Sequence, residues 1–218
     1  MQFIPSKNAT IIIVDDDLDI RASLDSLFRS WDFCVETYSE PSEFLDTGLP
    51  SGDCCLILDI HLKNIDGLEF QASLEQSGIN IPVIIITGHG DIPMAVRGMK
   101  AGAIDFLTKP FTDEALLKAI NTALKASHDR RQIAQERTDI ECRYEQLSAR
   151  EREVMALVAS GLMNKQIAAR LELSLITIKI HRANAMKKMQ AESLAEFVRI
   201  AEFLGIRDET ITRYHQNG

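Results

Sequence analysis

The sequence has no apolar run approaching the roughly 18 residues that cross a bilayer, and its N-terminus lacks the basic, apolar and small-residue succession of a secretory signal. The expectation is a cytosolic protein that does not engage a membrane. Cysteine is scarce: Cys34, Cys54, Cys55 and Cys142 form no C-x-x-C pair and have no histidine at metal-site spacing. That argues against a disulfide framework and against zinc, leaving packing residues or idle thiols. Proline and glycine are missing from the charged stretch NTALKASHDRRQIAQERTDIECRYEQL, so nothing in it breaks a helix.

The formal charge of −8 over 218 residues argues against a nucleic-acid partner until it is divided along the chain. Residues 1–146 carry 13 Lys and Arg against 24 Asp and Glu, net −11, whereas residues 147–218 carry 11 against 8, net +3. An asymmetry of this kind points to two functions in one chain, the basic part facing an anionic partner. The patterns divide in the same place. Short apolar runs, IIIV (11–14), CLIL (55–58) and VIIIT (83–87), alternate with amphipathic stretches such as that of Ile20, Leu24, Leu27 and Phe28. Continuous β-branched runs without polar alternation are what a parallel sheet covered on both faces requires. A doubly wound α/β domain over 8–126 follows, with a helical linker over 127–146 and an all-helical domain over 147–218. Ile133, Ile140 and Leu147 recur every seven residues in the linker, but Arg137 interrupts the seam. A solvated connecting helix is favoured over a coiled coil.

Carboxylates sit where the apolar runs end. Asp15 and Asp16 follow IIIV, Asp59 follows CLIL, Thr87 closes VIIIT, and Lys109 follows AIDFL and precedes Pro110. Any one Asp after a strand is an ordinary turn former, and Asp17 reads as the N-cap of the next helix. Together, at the carboxyl ends of neighbouring parallel strands, these groups converge where such sheets bind ligands. Crowded carboxylates repel unless a cation neutralises them, and a hard divalent ion with oxygen ligands, Mg²⁺ first, fits best. A metal, an ammonium and a free carboxylate suit phosphoryl transfer.

The words IIIVDDD, LILDI and VIIITGHGDIPMAVRGMKAGAIDFLTKPF resemble a bacterial response-regulator receiver domain, in the style of the NarL/FixJ class. The resemblance implies a five-stranded, flavodoxin-like sheet over roughly residues 8–126, phosphorylated on Asp59 by a sensor histidine kinase. It implies Mg²⁺ held by Asp16, Asp59 and the backbone carbonyl of His61, with Asp15 acting through water. Thr87 and Phe106 would be a switch pair, and Lys109, placed by a cis bond to Pro110, would contact the phosphoryl group. Lys63 and Asn64 depart from the family's usual loop, and His61 and His89 stand near the pocket as bulky neighbours. Ile92, Val96 and Met99 recur at helical spacing beside Ala103, Ile104 and Phe106, a candidate face for homodimerisation on phosphorylation.

The basic part reads as helices with punctuation. Ser148 with Glu151 makes a capping box for a helix ending at Gly161, Asn164 is expected to cap a second, and Ser174 a third over about 175–189. Residues 164–190 hold Lys165, Arg170, Lys179, Arg182, Lys187 and Lys188 against the single acid Glu172. At about 100° per residue, Ile178, Ala185 and Met189, with His181 alongside, face inward. Ile176, Lys179, Ile180, Ala183 and Lys187 face out, where apolar side chains would meet thymine methyls in a major groove. LSAREREVMALVASGLMNKQIAARL and TIKIHRANAMKKM resemble the LuxR-type helix-turn-helix output domain, over about 146–206. The resemblance implies promoter DNA as partner, a fourth helix over 192–204 able to pair with its mate, and RNA polymerase as a further candidate. The candidate DNA contacts are Lys165, Thr177, Lys179, Ile180, Arg182, Ala183 and Lys187. Glu172 occupies a turn position where Gly is usual, and Leu175 and Ile176 replace the polar residues that often open the recognition helix.

The rival from the enzymes is a phosphoaspartate hydrolase of the haloacid dehalogenase type, which needs a second acid two residues after its nucleophile. Here Ile60 and His61 follow Asp59. A phosphate-independent adaptor would not need the full set Asp15, Asp16, Asp59, Thr87 and Lys109.

Overall fold

The computed structural model describes residues 9–63, 65–88 and 91–207, residue 75 by its backbone alone. The readings of Asn64 and His89 lie outside the described residues, as do the outermost residues of the expected domains. Contacts divide the chain into two compact units, Met1–Gln132 and Ile133–Gly218.

The first unit runs β1 (Thr10–Val14), α1 (Leu18–Ser30), β2 (Cys34–Tyr38), α2 (Pro41–Thr47), β3 (Cys54–Asp59), α3 (Gly67–Gln76), β4 (Val83–Thr87), α4 (Ile92–Lys100), β5 (Asp105–Thr108) and the start of α5 (Asp113–Glu145). The strands are parallel in the order β2-β1-β3-β4-β5, the five-stranded doubly wound sheet expected. β1 is followed by β2 on one side and β3 on the other, so the strand order reverses beside β1, where open sheets of this type bind ligands.

β1, β3 and β4 are buried at every residue because helices cover both faces. Ile11, Ile13, Ile57 and Ile84 pack with Leu24, Phe28, Leu116 and Ile120 on one side. Ile12, Leu56, Leu58 and Ile85 pack with Phe44, Phe70 and Leu74 on the other. Each such side chain contributes about 1.5–3 kcal/mol over leaving it exposed, which is why the apolar runs are unbroken. β2 is the strand that the apolar runs do not reveal: at the sheet edge only Val35 of CVETY is buried. Cys54 and Cys55 are buried free thiols, Cys34 and Cys142 exposed ones.

Residues 127–145 of the expected helical linker continue a helix that begins in the first unit. α5 is one 33-residue helix, whose Leu116, Ala119, Ile120, Ala123 and Leu124 lie in the first core. Ile140, followed by Leu147 just past its end, belongs to the core of the second unit. Of the three heptad positions only Ile133 is exposed, so the repeat marks a packing face at one end and a solvated turn at the other.

The second unit adds α6 (Ala149–Ala159), α7 (Asn164–Leu171), α8 (Leu175–Lys188) and α9 (Leu194–Phe203). Ser148 and Glu151 form the capping box: Ser148 Oγ accepts from the Glu151 N–H at 3.3 Å and Glu151 Oε2 from the Ser148 N–H at 2.8 Å. Ser174 caps α8 through the Thr177 N–H. Asn164 does not cap α7. Met163 stands at that position, its N–H donating to Gln166 Oε1, and Asn164 is the first helical residue, its Oδ1 accepting from Arg182. α9 begins two residues later than the sequence suggests, behind its N-cap Ser193. Ile178, Ala185 and Met189 of the α8 region are fully buried beside Val154, Ile167 and Phe197.

Candidate functional site

Sheet register brings the polar strand ends together: Val14 lies beside Leu58, Asp59 beside Ile86, and Thr87 beside Thr108. The residues just beyond these pairs therefore share one pocket. Lys109 Nζ donates to Asp15 Oδ2 and to Asp59 Oδ1, each at 2.9 Å. The lysine is carried there by a bond from its own N–H to the Thr87 carbonyl at 2.7 Å and by a cis bond to Pro110. Asp15 Oδ1 accepts from the Asp17 N–H at 2.9 Å, and Asp59 Oδ2 from the His61 N–H at 2.7 Å. Asp17 in turn caps α1 through the Asp19 and Ile20 N–H groups. Thr87 is fully buried. Phe106 is half-buried against the core on the α3 side of the sheet.

Burial pushes the Asp15 carboxyl above the ordinary carboxylate range, only partly offset by the Asp17 and Lys109 hydrogen bonds. For Lys109 burial works downward, but the hydrogen bonds to Asp59 and Asp15 outweigh it and hold the ammonium above its usual value. The ion triad keeps Lys109 charged and pins one oxygen of each of two aspartates.

Gly67 is a further requirement that the sequence reading passed over. A Cβ there would lie 2.3 Å from the Asp59 carbonyl oxygen, so only glycine lets α3 start this close to the strand end that carries Asp59. Among the described residues no three His, Cys, Asp or Glu groups converge into a closed metal cage, and Lys109 bridges Asp15 and Asp59. The donor chemistry still suits Mg²⁺, which takes one or two carboxylates and keeps several waters. Asp16 and Lys63 face one another at the mouth, Nζ to Oδ2 at 3.8 Å. Together they border a cleft of about 330 Å³ running toward Ser39 and Pro41.

In the second unit, Ile176 and Ile180 of α8 are 71% and 53% exposed. They share their face with exposed Lys179, Ala183 and Lys187, and Lys165 is exposed near the start of α7. Thr177 and Arg182 are half-buried and engaged internally. Thr177 Oγ1 lies 2.8 Å from Ser174 Oγ, and Arg182 Nη1 lies 3.3 Å from Asn164 Oδ1. Lys188 donates to Glu151 Oε2 at 2.7 Å and to the Gln146 carbonyl, so it ties α8 to α6. Burial works against the Glu151 charge, but the Lys188 and Ser148 hydrogen bonds hold its carboxyl below the usual range. His181 is half-buried alongside the packed face.

Residues 11–121 match the family model described as response regulator receiver domain, and residues 145–201 that of the bacterial regulatory proteins, luxR family. Nodulation protein W of Bradyrhizobium diazoefficiens is 47% identical over 201 residues, 92% of this chain and 88% of that protein. Transcriptional regulatory protein FixJ of Rhizobium meliloti strain 1021 is 41% identical over 192 residues, 88% of this chain and 94% of that one. Among solved structures, the response regulator StyR is 44% identical, with a TM-score of 0.78, over 89% of this chain and 98% of that chain.

Proposed function

Because the chain belongs to the NarL/FixJ class of two-component response regulators, a receiver domain followed by a LuxR-type DNA-binding domain, we propose that phosphorylation on Asp59 switches its binding to promoter DNA. A receiver implies a sensor histidine kinase as partner and a LuxR-type domain implies DNA, and the class is one of regulators, not of catalytic enzymes. On this reading the receiver occupies 8–126, the connector 127–146 and the output domain 147–218, and the protein works in the cytoplasm.

The observation that carries the reading is the Lys109 ammonium, held 2.9 Å from both Asp15 and Asp59 at the carboxyl edge of the sheet. An Asp59 oxygen attacks the phosphoryl phosphorus while the bond to the donor nitrogen breaks, so the carboxylate becomes an acyl phosphate. Lys109 then neutralises a phosphoryl oxygen, and the Thr87 hydroxyl, with Phe106 as its switch partner, bonds another. Asp16, Asp59 and the His61 carbonyl would hold Mg²⁺, with Asp15 orienting it through water, and the ion supplies positive charge against the phosphoryl oxygens. Phosphorylated chains pair through α4 and bind an inverted repeat, one α8 helix to each half-site. RNA polymerase is a candidate partner at the promoter.

The test is labelling of the full chain by a small phosphodonor with Mg²⁺. The native protein takes up acid-labile label and Asp59→Asn takes up none. Retained label in that variant would overturn the assignment.

A further inference from the structure

Lys63 stands four residues after Asp59, in the loop between β3 and α3, and its Nζ lies 3.8 Å from Asp16 Oδ2. Its side chain is 74% exposed and that of Asp16 is 23% exposed, so the lysine leans over the mouth of the pocket with water on its outer side. The neighbouring carboxylates are committed elsewhere. Asp15 spends its oxygens on Lys109 and the Asp17 N–H, and Asp59 on Lys109 and the His61 N–H. Lys109 therefore serves the inner pair, and Lys63 faces the outer carboxylate.

We propose that Lys63 is a tethered counter-cation that competes with a divalent metal ion for Asp16 and so sets the Mg²⁺ concentration at which the pocket fills. The inference rests on the reading of the pocket given above and names a regulator of that same site. At 3.8 Å the ammonium is close enough to neutralise Asp16, yet it is too hydrated to hold the carboxylate against an ion of twice its charge. Metal entry displaces it, and the cleft of about 330 Å³ that Lys63 borders gives the side chain room to withdraw. Exposed ion pairs of this kind are modest and are screened by salt. The competition is therefore worth about two- to fivefold in metal affinity and fades as ionic strength rises.

The experiment is isothermal titration of the full chain with MgCl₂ and no phosphodonor, in low salt and again at about 0.5 M salt. Lys63→Met should bind Mg²⁺ about two- to fivefold more tightly than the native chain at low salt, with the gap closing at high salt. Lys63→Arg should stay near the native affinity. Lys100→Met, at the far end of α4, should change nothing, and Asp16→Asn should weaken binding. Native affinity in Lys63→Met overturns the inference, as does an equal gain in Lys100→Met, which would make the effect one of net charge. A native chain that binds no Mg²⁺, or an Asp16→Asn chain that binds as well as native, sinks the reading of the pocket itself.

Discussion

Glu172 is a non-glycine residue held at φ 55°, ψ 39° where α7 gives way to α8. An L side chain in the left-handed region costs about 1–2 kcal/mol, whereas glycine there would cost about 0.5–1 kcal/mol in unfolded-chain entropy. The first term wins. Glu172→Gly should stabilise the second unit by about 0.5–1 kcal/mol, seen as a higher urea midpoint by circular dichroism, and an unmoved or lower midpoint would show that the turn is unstrained. The residues that could be read from the sequence are those whose position follows from their own neighbours. Asp15, Asp16 and Asp59 follow apolar runs, and Ser148 and Ser174 cap the helices they precede. Lys63 and Gly67 could not be read that way, because what they touch is set by how the β3–α3 loop folds back on the strand ends. Lys188 is one of the six cations of 164–190, but its bond to Glu151 depends on how α6 packs against α8 and could not be read from the sequence.

At the scale of elements, the same rule separates β1, β3 and β4 from β2. A strand buried on both faces announces itself as an apolar run, while the edge strand CVETY, with Val35 alone buried, looks like a loop. α5 was legible for another reason: with no Pro or Gly in its charged stretch nothing breaks the helix, and it runs from Asp113 to Glu145. α8 followed its periodicity closely, with Ile178 and Ala185 inward and Ile176, Lys179, Ile180, Ala183 and Lys187 outward. Within that outer face we predict a division of labour. Lys179, near the middle of the helix, reads a base edge, and Lys187, in the last turn, meets phosphate. Lys187→Ala should weaken cognate and scrambled DNA alike and lower the salt slope by about one unit. Lys179→Ala should cost about 1–3 kcal/mol on the cognate site and less on the scrambled one. Equal losses on both sites for Lys179→Ala, at fixed salt, would make it a positioning residue.

Across the whole molecule the net charges of −11 and +3 on residues 1–146 and 147–218 set the terms of DNA binding. With so small an excess of positive charge, a single output domain is expected to make few phosphate contacts, and we predict that useful affinity requires two coupled output domains. The receiver offers a place for coupling on α4, where Ile92 is 82% exposed and Val96 and Met99 stand on the same helix, also exposed. Ile104, expected on this face, is half-buried against the opposite core and contributes less than the helix. The C-terminal end of α4 is fastened: Gln71 Nε2 donates to the Ala101 carbonyl at 2.9 Å and the Gly98 carbonyl at 3.3 Å. A Cβ on Gly98 would come within 2.5 Å of Ile85 Cδ1, so this end sits tight on the sheet. The other end starts just beyond Thr87 and carries Ile92. A change at the pocket is therefore expected to act on the N-terminal end of α4, which Asp91 caps through the Met94 N–H, and a shift of about 2–4 kcal/mol would turn a mostly monomeric population into a mostly dimeric one. Sedimentation velocity should show the native chain moving from monomer to dimer on addition of phosphodonor and Mg²⁺. Ile92→Asp should take up phosphoryl group as the native chain does, stay monomeric and lose the phosphodonor-dependent gain in affinity for an inverted repeat. A phosphorylated Ile92→Asp chain that still dimerises would move the interface away from α4, and a native chain whose sedimentation is unchanged would remove dimerisation from the switch.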